Sequence, residues 1–145
     1  DVTALFIVGW TWIDRFDYIN ENQNWSTIRP GSLSELAKTY YQELHSEMQD
    51  KLTSLMTIRT VIDSLREKNF PFIMTYMDEL LFDREYNTSP TILALQDYVE
   101  GKTFLDWSRD HGYPESVGWH PLEQAHSEGA KLMRQAFDKQ NTNGR

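Results

Sequence analysis

Thr3-Ala-Leu-Phe-Ile-Val-Gly9 is the segment that most clearly indicates the fold class. A short and nearly unbroken apolar run that ends at a glycine is typical of a strand buried on both faces of a parallel sheet. A second run, Phe70-Pro-Phe-Ile-Met-Thr-Tyr-Met77, predicts a second buried strand. Its proline stands at the start, where a missing backbone donor is tolerated. The two runs predict an α/β fold with a short parallel sheet.

The segment between the two strands predicts a long helical crossover over residues 33–67. A Ser-x-x-Glu capping box at 32–35 marks its beginning, and a Ser-x-x-Gln box at 46–49 predicts that two helices meet near residue 46. Apolar side chains recur at nearly helical spacing at Leu36, Tyr40, Leu44, Met48, Leu52, Leu55, Ile62 and Leu65. Strand, helix and strand therefore predict a βαβ unit.

The remaining segments predict one long loop and three shorter helices. Residues 10–31 have no sustained period and end at Pro30-Gly31, so we expect an aromatic loop there. Helices are expected from the cap at 87–90 to about Val99, over 103–111, and from Pro121 toward Phe137. Residues 140–145 are polar and are expected to form a flexible tail. We interpret residues 1–145 as a single α/β domain.

Charge and composition exclude several classes of function. The 145 residues include 14 basic and 22 acidic side chains, for a net charge of −8, and no cysteine. Such a chain has no source for the phosphate neutralisation that drives nucleic-acid binding, and thiolate catalysis is excluded. No apolar run approaches the ~20 residues of a membrane span, and no signal peptide is visible. By default we expect a cytoplasmic protein that binds neither nucleic acid nor membrane.

The predicted sheet is small. Open sheets usually have about 4–6 strands, and the first predicted strand begins within two residues of Asp1. We therefore expect either an incomplete domain, as in a processed or truncated product, or a second copy of the chain that covers the exposed edge. Unpaired strand edges and the broad apolar side of the helical segment favour a homodimer.

Ligand sites of α/β sheets lie outside the carboxyl ends of the strands. We expect three features of this chain at that edge: the turn over 9–15, Asp78, and the turn over 118–121. His120 lies on a Gly-Trp-His-Pro turn and is a candidate general base near neutral pH. The alternative is a histidine that caps the last helix. His126, on the predicted inward stripe of that helix, is interpreted as a core histidine.

Three further residues are candidates for substrate binding. Thr11 offers a hydroxyl to a developing oxyanion or caps a turn, and Arg15 positions an anionic group or forms a surface ion pair. Trp119 is the third candidate. Together with the tryptophans at 10, 12 and 25, it forms either a platform on which sugar rings stack or a part of the hydrophobic core. The histidines at 120 and 126 do not have the i, i+4 spacing of helix-borne metal ligands, and no glycine-rich phosphate loop is present. No metal and no cofactor is expected.

Two segments resemble those of SGNH (GDSL-type) hydrolases. One is the strand and turn Leu5-Phe-Ile-Val-Gly-Trp-Thr-Trp-Ile-Asp-Arg15. The other, His120-Pro-Leu-Glu-Gln-Ala-His126-Ser-Glu-Gly-Ala130, is similar to the family's terminal block, in which the catalytic His-Pro leads into a helix. The resemblance covers most of the chain coarsely. It implies a partial flavodoxin-like three-layer fold, hydrolysis of an acyl ester, and His120 as the base.

The chain departs from that family's pattern in three places. No Gly-Asp-Ser nucleophile block precedes Asp1. Val117 stands where the family places aspartate, which leaves Glu115 as a substitute. Thr11 stands where the family's asparagine donor is expected. Because a triad without its nucleophile cannot carry out acyl transfer, we expect a hydrolase-type domain that is inactive as this chain. The alternative is a non-catalytic binding or assembly module whose aromatic loop contacts carbohydrate or protein.

Overall fold

The computed structural model describes residues 5–84, 89–99 and 101–143. In chain order these residues form β1 (Phe6–Trp10), β2 (Phe16–Ile19), β3 (Trp25–Ile28), α1 (Glu35–Thr39), a π-helical turn (Tyr40–Leu44), α2 (Glu47–Glu67), β4 (Phe72–Tyr76), a 3₁₀ turn (Glu79–Leu81), α3 (Pro90–Gln96), α4 (Phe104–Asp110) and α5 (Glu123–Asn143). The fold is mixed α/β, as predicted.

The two predicted strands pair in parallel. Phe6 of β1 lies opposite Phe72 of β4, and Trp10 lies opposite Tyr76. The strand, helix and strand unit is therefore confirmed, with α1, the π-helical turn and α2 as the crossover. β1 continues through Gly9 to Trp10, two residues past its predicted end, while residues 3 and 4 of the predicted strand lie outside the described residues.

The hydrophobic core lies on one face of this sheet. Because side chains alternate along a strand, the face that carries Tyr76 also carries Phe72 and Met74, and these side chains pack against α2 and α3. The buried members of the core are Leu55, Ile58, Ile62, Tyr76, Leu81, Ile92, Leu95 and Val99. Each such aliphatic side chain contributes about 1.5–3 kcal/mol when it is buried, so this core holds β4 firmly against α2.

The prediction that β1 is buried on both faces is wrong. Phe6 is 39% exposed and Ile7 is 54% exposed. Among the described residues, only β4 pairs with β1, so its other edge is open. The second face of the sheet, which carries Ile7, Gly9 and Thr75, is separated from α4 and α5 by a cavity.

The predicted long loop over residues 10–31 contains an antiparallel hairpin. Phe16 of β2 pairs with Ile28 of β3, and the turn is organised by Asn20, whose side-chain oxygen accepts hydrogen bonds from two backbone amides of the turn. Four-residue strands are too short to produce a clear alternation in the sequence. The ring of Phe16 stacks on Tyr40 at a centroid distance of 4.6 Å, so contacts outside the hairpin help to stabilise it.

The break in the helical crossover is where the sequence predicts it. Ser46 is the N-cap of α2, and its hydroxyl accepts a hydrogen bond from the backbone amide of Gln49. The predicted first cap is wrong by two residues, since Ser34 caps α1 and accepts from Ala37 N. The Ser32 hydroxyl instead accepts from Arg29 N and closes the preceding turn.

α3 and α4 lie where the sequence predicts helices. Pro90 occupies the first turn of α3, which ends at Gln96, before the predicted Val99. Residues 87 and 88 of the predicted cap lie outside the described residues. Thr103 caps α4 by accepting a hydrogen bond from Asp106 N.

The last helix begins later and ends later than predicted. Glu115 and Pro121 form an isolated β-bridge, so Pro121 belongs to a closed turn and α5 begins at Glu123. The helix continues to Asn143, and the predicted tail is therefore helical over 140–143, while 144 and 145 lie outside the described residues. No helix in the described part of the chain has the length and apolar character needed to cross a bilayer.

Candidate functional site

A cavity of about 690 Å³ lies where β1 and β4 end. Gly9 and Thr11 line it from β1 and the turn that follows, and Thr75 lines it from β4. The opposite wall is formed by Phe104 of α4 and Gly129 of α5. The cavity therefore occupies the edge of the parallel sheet that commonly binds ligands in α/β proteins.

Three of the four residues that the sequence indicates line this cavity. His120 and Trp119 reach it from the turn before α5, and Thr11 reaches it from the turn after β1. Arg15 does not line it. Its side chain lies at a neighbouring cavity of about 170 Å³, which shares Thr11 and Trp12 with the first and is also lined by Asp17 and side chains of α2.

A tight turn presents His120 and Trp119. Ser116 N donates to His120 O over 2.9 Å, and His120 N donates to the Ser116 hydroxyl over 3.2 Å. Trp119 has a φ of 61°, in the left-handed region that non-glycine residues rarely adopt. The turn leaves the His120 side chain exposed, and the described residues form no hydrogen bond with its ring.

Asp78 holds the turn that carries Thr11. This buried carboxylate accepts a hydrogen bond from Ile13 N over 2.9 Å with one oxygen and from Leu80 N over 3.0 Å with the other. Met77 N also donates to Trp10 O over 3.0 Å. Asp78, which the sequence places at the carboxyl end of β4, therefore ties the two strand ends together and orients the turn.

No carboxylate of the described residues orients the His120 ring. Glu115, the substitute suggested by the resemblance, forms two contacts with Arg109, at 2.9 and 3.3 Å. Val117, at the position where the family has aspartate, is fully exposed. The guanidinium of Arg109 also lies 5.6 Å from the ring centroid of Trp119, so this arginine supports the turn from outside the cavity.

The interpretation of His126 as a core histidine is wrong. Its side chain is exposed, and its ring lies beside Phe104 at a centroid distance of 5.1 Å on the wall of the cavity. The buried face of α5 is instead formed by Ala125 and Gly129. The sequence signal for this wall is Gly129 itself, because a glycine inside a helical pattern usually has a packing reason.

A second cluster of ionisable groups lies between the hairpin and α2, away from the cavity. His45 Nε2 is 3.0 Å from Asp50 Oδ2, although the two atoms are not aligned for a hydrogen bond. Burial raises the pKa of Asp50, while the neighbouring His45 lowers it in part. Burial, followed by the charge of Asp78, raises the pKa of Asp14. The sequence analysis missed this cluster because Asp14 is far from His45 and Asp50 in the chain.

Neither a metal-binding group of side chains nor a similarity to known proteins assigns a function to this chain. Within 5–84, 89–99 and 101–143, no three His, Asp or Glu side chains are grouped closely enough to hold a metal ion. Comparisons with protein-family models, curated proteins and solved structures found no match. The geometry of the cavity is therefore the basis for a functional proposal.

Proposed function

We propose that this chain is an SGNH-like hydrolase-type domain, with a flavodoxin-like arrangement of its sheet and helices, whose cavity binds a small acyl ester. One observation carries the proposal: Thr11 and the distant pair Trp119 and His120 line one cavity at the carboxyl ends of parallel strands. Its volume of about 690 Å³ is within the ~300–1,000 Å³ range of small-molecule sites.

Each of these residues has a chemical role in the proposal. The exposed ring of His120 offers a hydrogen-bonding nitrogen to the ester and would be the general base if a nucleophile were supplied beside it. The Thr11 hydroxyl donates to the carbonyl oxygen of the bound ester, and Trp119 forms an apolar wall beside it. Arg15 lies at the other cavity and has no role in this assignment.

The proposal includes an expectation about turnover. Among the described residues, no hydroxyl forms a hydrogen bond with the His120 ring, and the Ser116 hydroxyl accepts from the backbone amide of His120 instead. A hydroxyl without a base is a weak nucleophile. We therefore expect the chain to bind an ester and to leave it intact.

Nuclear magnetic resonance with 4-nitrophenyl butanoate tests the proposal. We expect the ester to shift the amide signals of Thr11 and His120 and the indole signal of Trp119, with nitrophenolate release no faster than in buffer. Arg66→Ala is the matched control and should leave these shifts unchanged, because Arg66 is exposed at the end of α2 and lines neither cavity. An ester that shifts none of these signals would contradict the proposal, and turnover lost in Ser116→Ala would assign the nucleophile to Ser116.

A non-catalytic carbohydrate-binding module is the second candidate. Trp12 and Trp119 are 45% and 68% exposed, and both line the cavity. Exposed aromatic faces of this kind stack on sugar rings, since an indole combines a large apolar surface with a polar edge. This candidate would be favoured over the hydrolase-type domain if methyl glucoside shifts both indole signals and the butanoate ester shifts neither.

A further inference from the structure

The cavity continues beneath α5 into a second space of about 460 Å³. The two spaces share lining residues on both walls, with Thr75 on the sheet side and Phe104, Gly129 and Met133 on the helix side. They therefore meet, and together they form one groove between β4 and the helices α4 and α5. We call this the α5 groove; it extends from His120 at one end to Ala136 at the other.

The groove exists because small side chains of α5 face the sheet. Gly129 and Ala136 line it, and neither fills the space between the helix and β4. α5 lies close to α4 at Gly129, where a Cβ atom would lie 3.0 Å from a ring carbon of Phe104. The helix therefore rests against α4 and leaves a space above the sheet face that carries Ile73 and Thr75, both of which are only partly buried.

The two ends of the groove differ in chemistry. The end at His120 and Thr11 offers an imidazole and a hydroxyl, whereas the middle and the far end are lined mainly by apolar side chains. Lys102 is the one charged side chain in the lining of the far space, and its ammonium group is paired with Asp110. A ligand that matches the groove has a polar group near His120 and an apolar tail beneath α5.

We propose that the α5 groove binds the acyl chain of a medium-chain ester, with the ester group at His120 and the chain directed toward Ala136. This inference deepens the proposed function and rests on it. A chain that enters the far space leaves water methylene by methylene, and each buried methylene tightens binding by about fourfold. The length of the acyl chain therefore becomes the main determinant of affinity.

A series of 4-nitrophenyl esters tests this inference. We expect the octanoate to bind on the order of 200-fold more tightly than the butanoate, because four more methylenes are buried. The octanoate should also shift the amide signals of Leu132 and Ala136, which line only the far space, whereas the butanoate should not. Titration by calorimetry below the aggregation concentration of each ester gives the affinities.

Substitutions in the far space separate the inference from the proposed function. Ala136→Phe should fill that space and bring the octanoate to the affinity of the butanoate, with the butanoate unchanged. Ile73→Phe makes the same test from the sheet side, and Gln135→Phe is the matched control at an exposed position of α5. Two results would overturn this inference and leave the proposed function standing. In one, the butanoate binds and the octanoate binds no more tightly. In the other, the higher affinity for the octanoate persists in folded Ala136→Phe and Ile73→Phe variants. No binding of either ester would overturn the proposed function with it.

Discussion

Asp78 joins the ends of β1 and β4 at the cavity. A buried carboxylate is costly unless hydrogen bonds replace its water, and both of its oxygens accept backbone amides, from Ile13 and Leu80. Its position at the end of β4 is visible in the sequence. Its partner across the sheet edge is not, because Ile13 is 65 residues away in the chain.

Tyr41 makes a comparable connection on the other side of the hairpin. Its hydroxyl donates to the backbone oxygen of Asp14 over 2.5 Å and lies 3.4 Å from that of Ile28. Burial, with a smaller contribution from the charge of Asp14, raises the pKa of Tyr41 from its usual 10.0 to about 12. The neutral phenol is therefore favoured by the folded state.

Tyr41→Phe is expected to lower the free energy of unfolding at pH 8 by ~0.5–1.5 kcal/mol, the usual contribution of such a hydrogen bond. Because the folded pKa lies above the unfolded value, the stability contributed by the neutral phenol is fully present below pH 10 and is lost as the pH rises toward 12. The difference between the two proteins should therefore shrink between pH 8 and pH 11 in urea unfolding. A difference of constant size at both pH values would contradict this assignment.

The break between α1 and α2 shows how a local signal positions distant side chains. The backbone of His45 is extended, and its amide closes the π-helical turn by donating to Tyr40 O over 2.8 Å. The turn brings the rings of Tyr40 and Tyr41 against that of His45. α2 can then begin at a capped end and cross beneath the sheet.

Ser46→Ala is expected to destabilise the protein by ~1 kcal/mol, because the amide of Gln49 loses its cap acceptor. Ser46→Asp should retain most of the stability, since a carboxylate also caps a helix. Ser64→Ala is the matched control inside α2, where the exposed hydroxyl donates to Thr60 O and alanine is the better helix former. Urea unfolding that gives equal losses for Ser46→Ala and Ser64→Ala would contradict the capping role.

In the molecule as a whole, large apolar side chains remain exposed in several regions, two of which lie on the first strand and on the helical crossover. One is the open edge of β1 with Phe6 and Ile7, and the other is the outer side of the helical crossover with Leu36, Leu44, Met48 and Met56. The crossover is therefore not fully packed within its own chain. Unpaired strand edges and apolar patches of this kind favour self-association.

We predict a homodimer in which one of these two regions meets its own copy around a twofold axis. Size-exclusion chromatography with light scattering at micromolar concentration should give twice the chain mass of 17.1 kDa. Leu44→Asp should produce monomers if the crossover forms the interface, and Ile7→Lys should do so if the β1 edge forms it. A wild-type protein that is monomeric throughout the micromolar range would contradict the prediction.

The features that depend on local patterns could be predicted from the amino-acid sequence. The two apolar runs predicted the parallel pair β1 and β4, the capping residue Ser46 predicted the break in the crossover, and the aromatic segment after residue 102 predicted α4. A strand of five apolar residues or a capped helix end is specified within a few positions, so composition and spacing are sufficient.

The hairpin, the exposure of β1 and the shape of the site could not be predicted, because they depend on how distant segments pack. His120 and Thr11 line one cavity although they lie more than one hundred residues apart in the chain, whereas Arg15, close to Thr11 in the chain, does not line it. The α5 groove depends on where α5 comes to rest against Phe104, which is set by the missing side chain of Gly129. These are properties of packing. The space left between two elements depends on the combined volumes of side chains that are far apart in the sequence, and no local pattern specifies that sum.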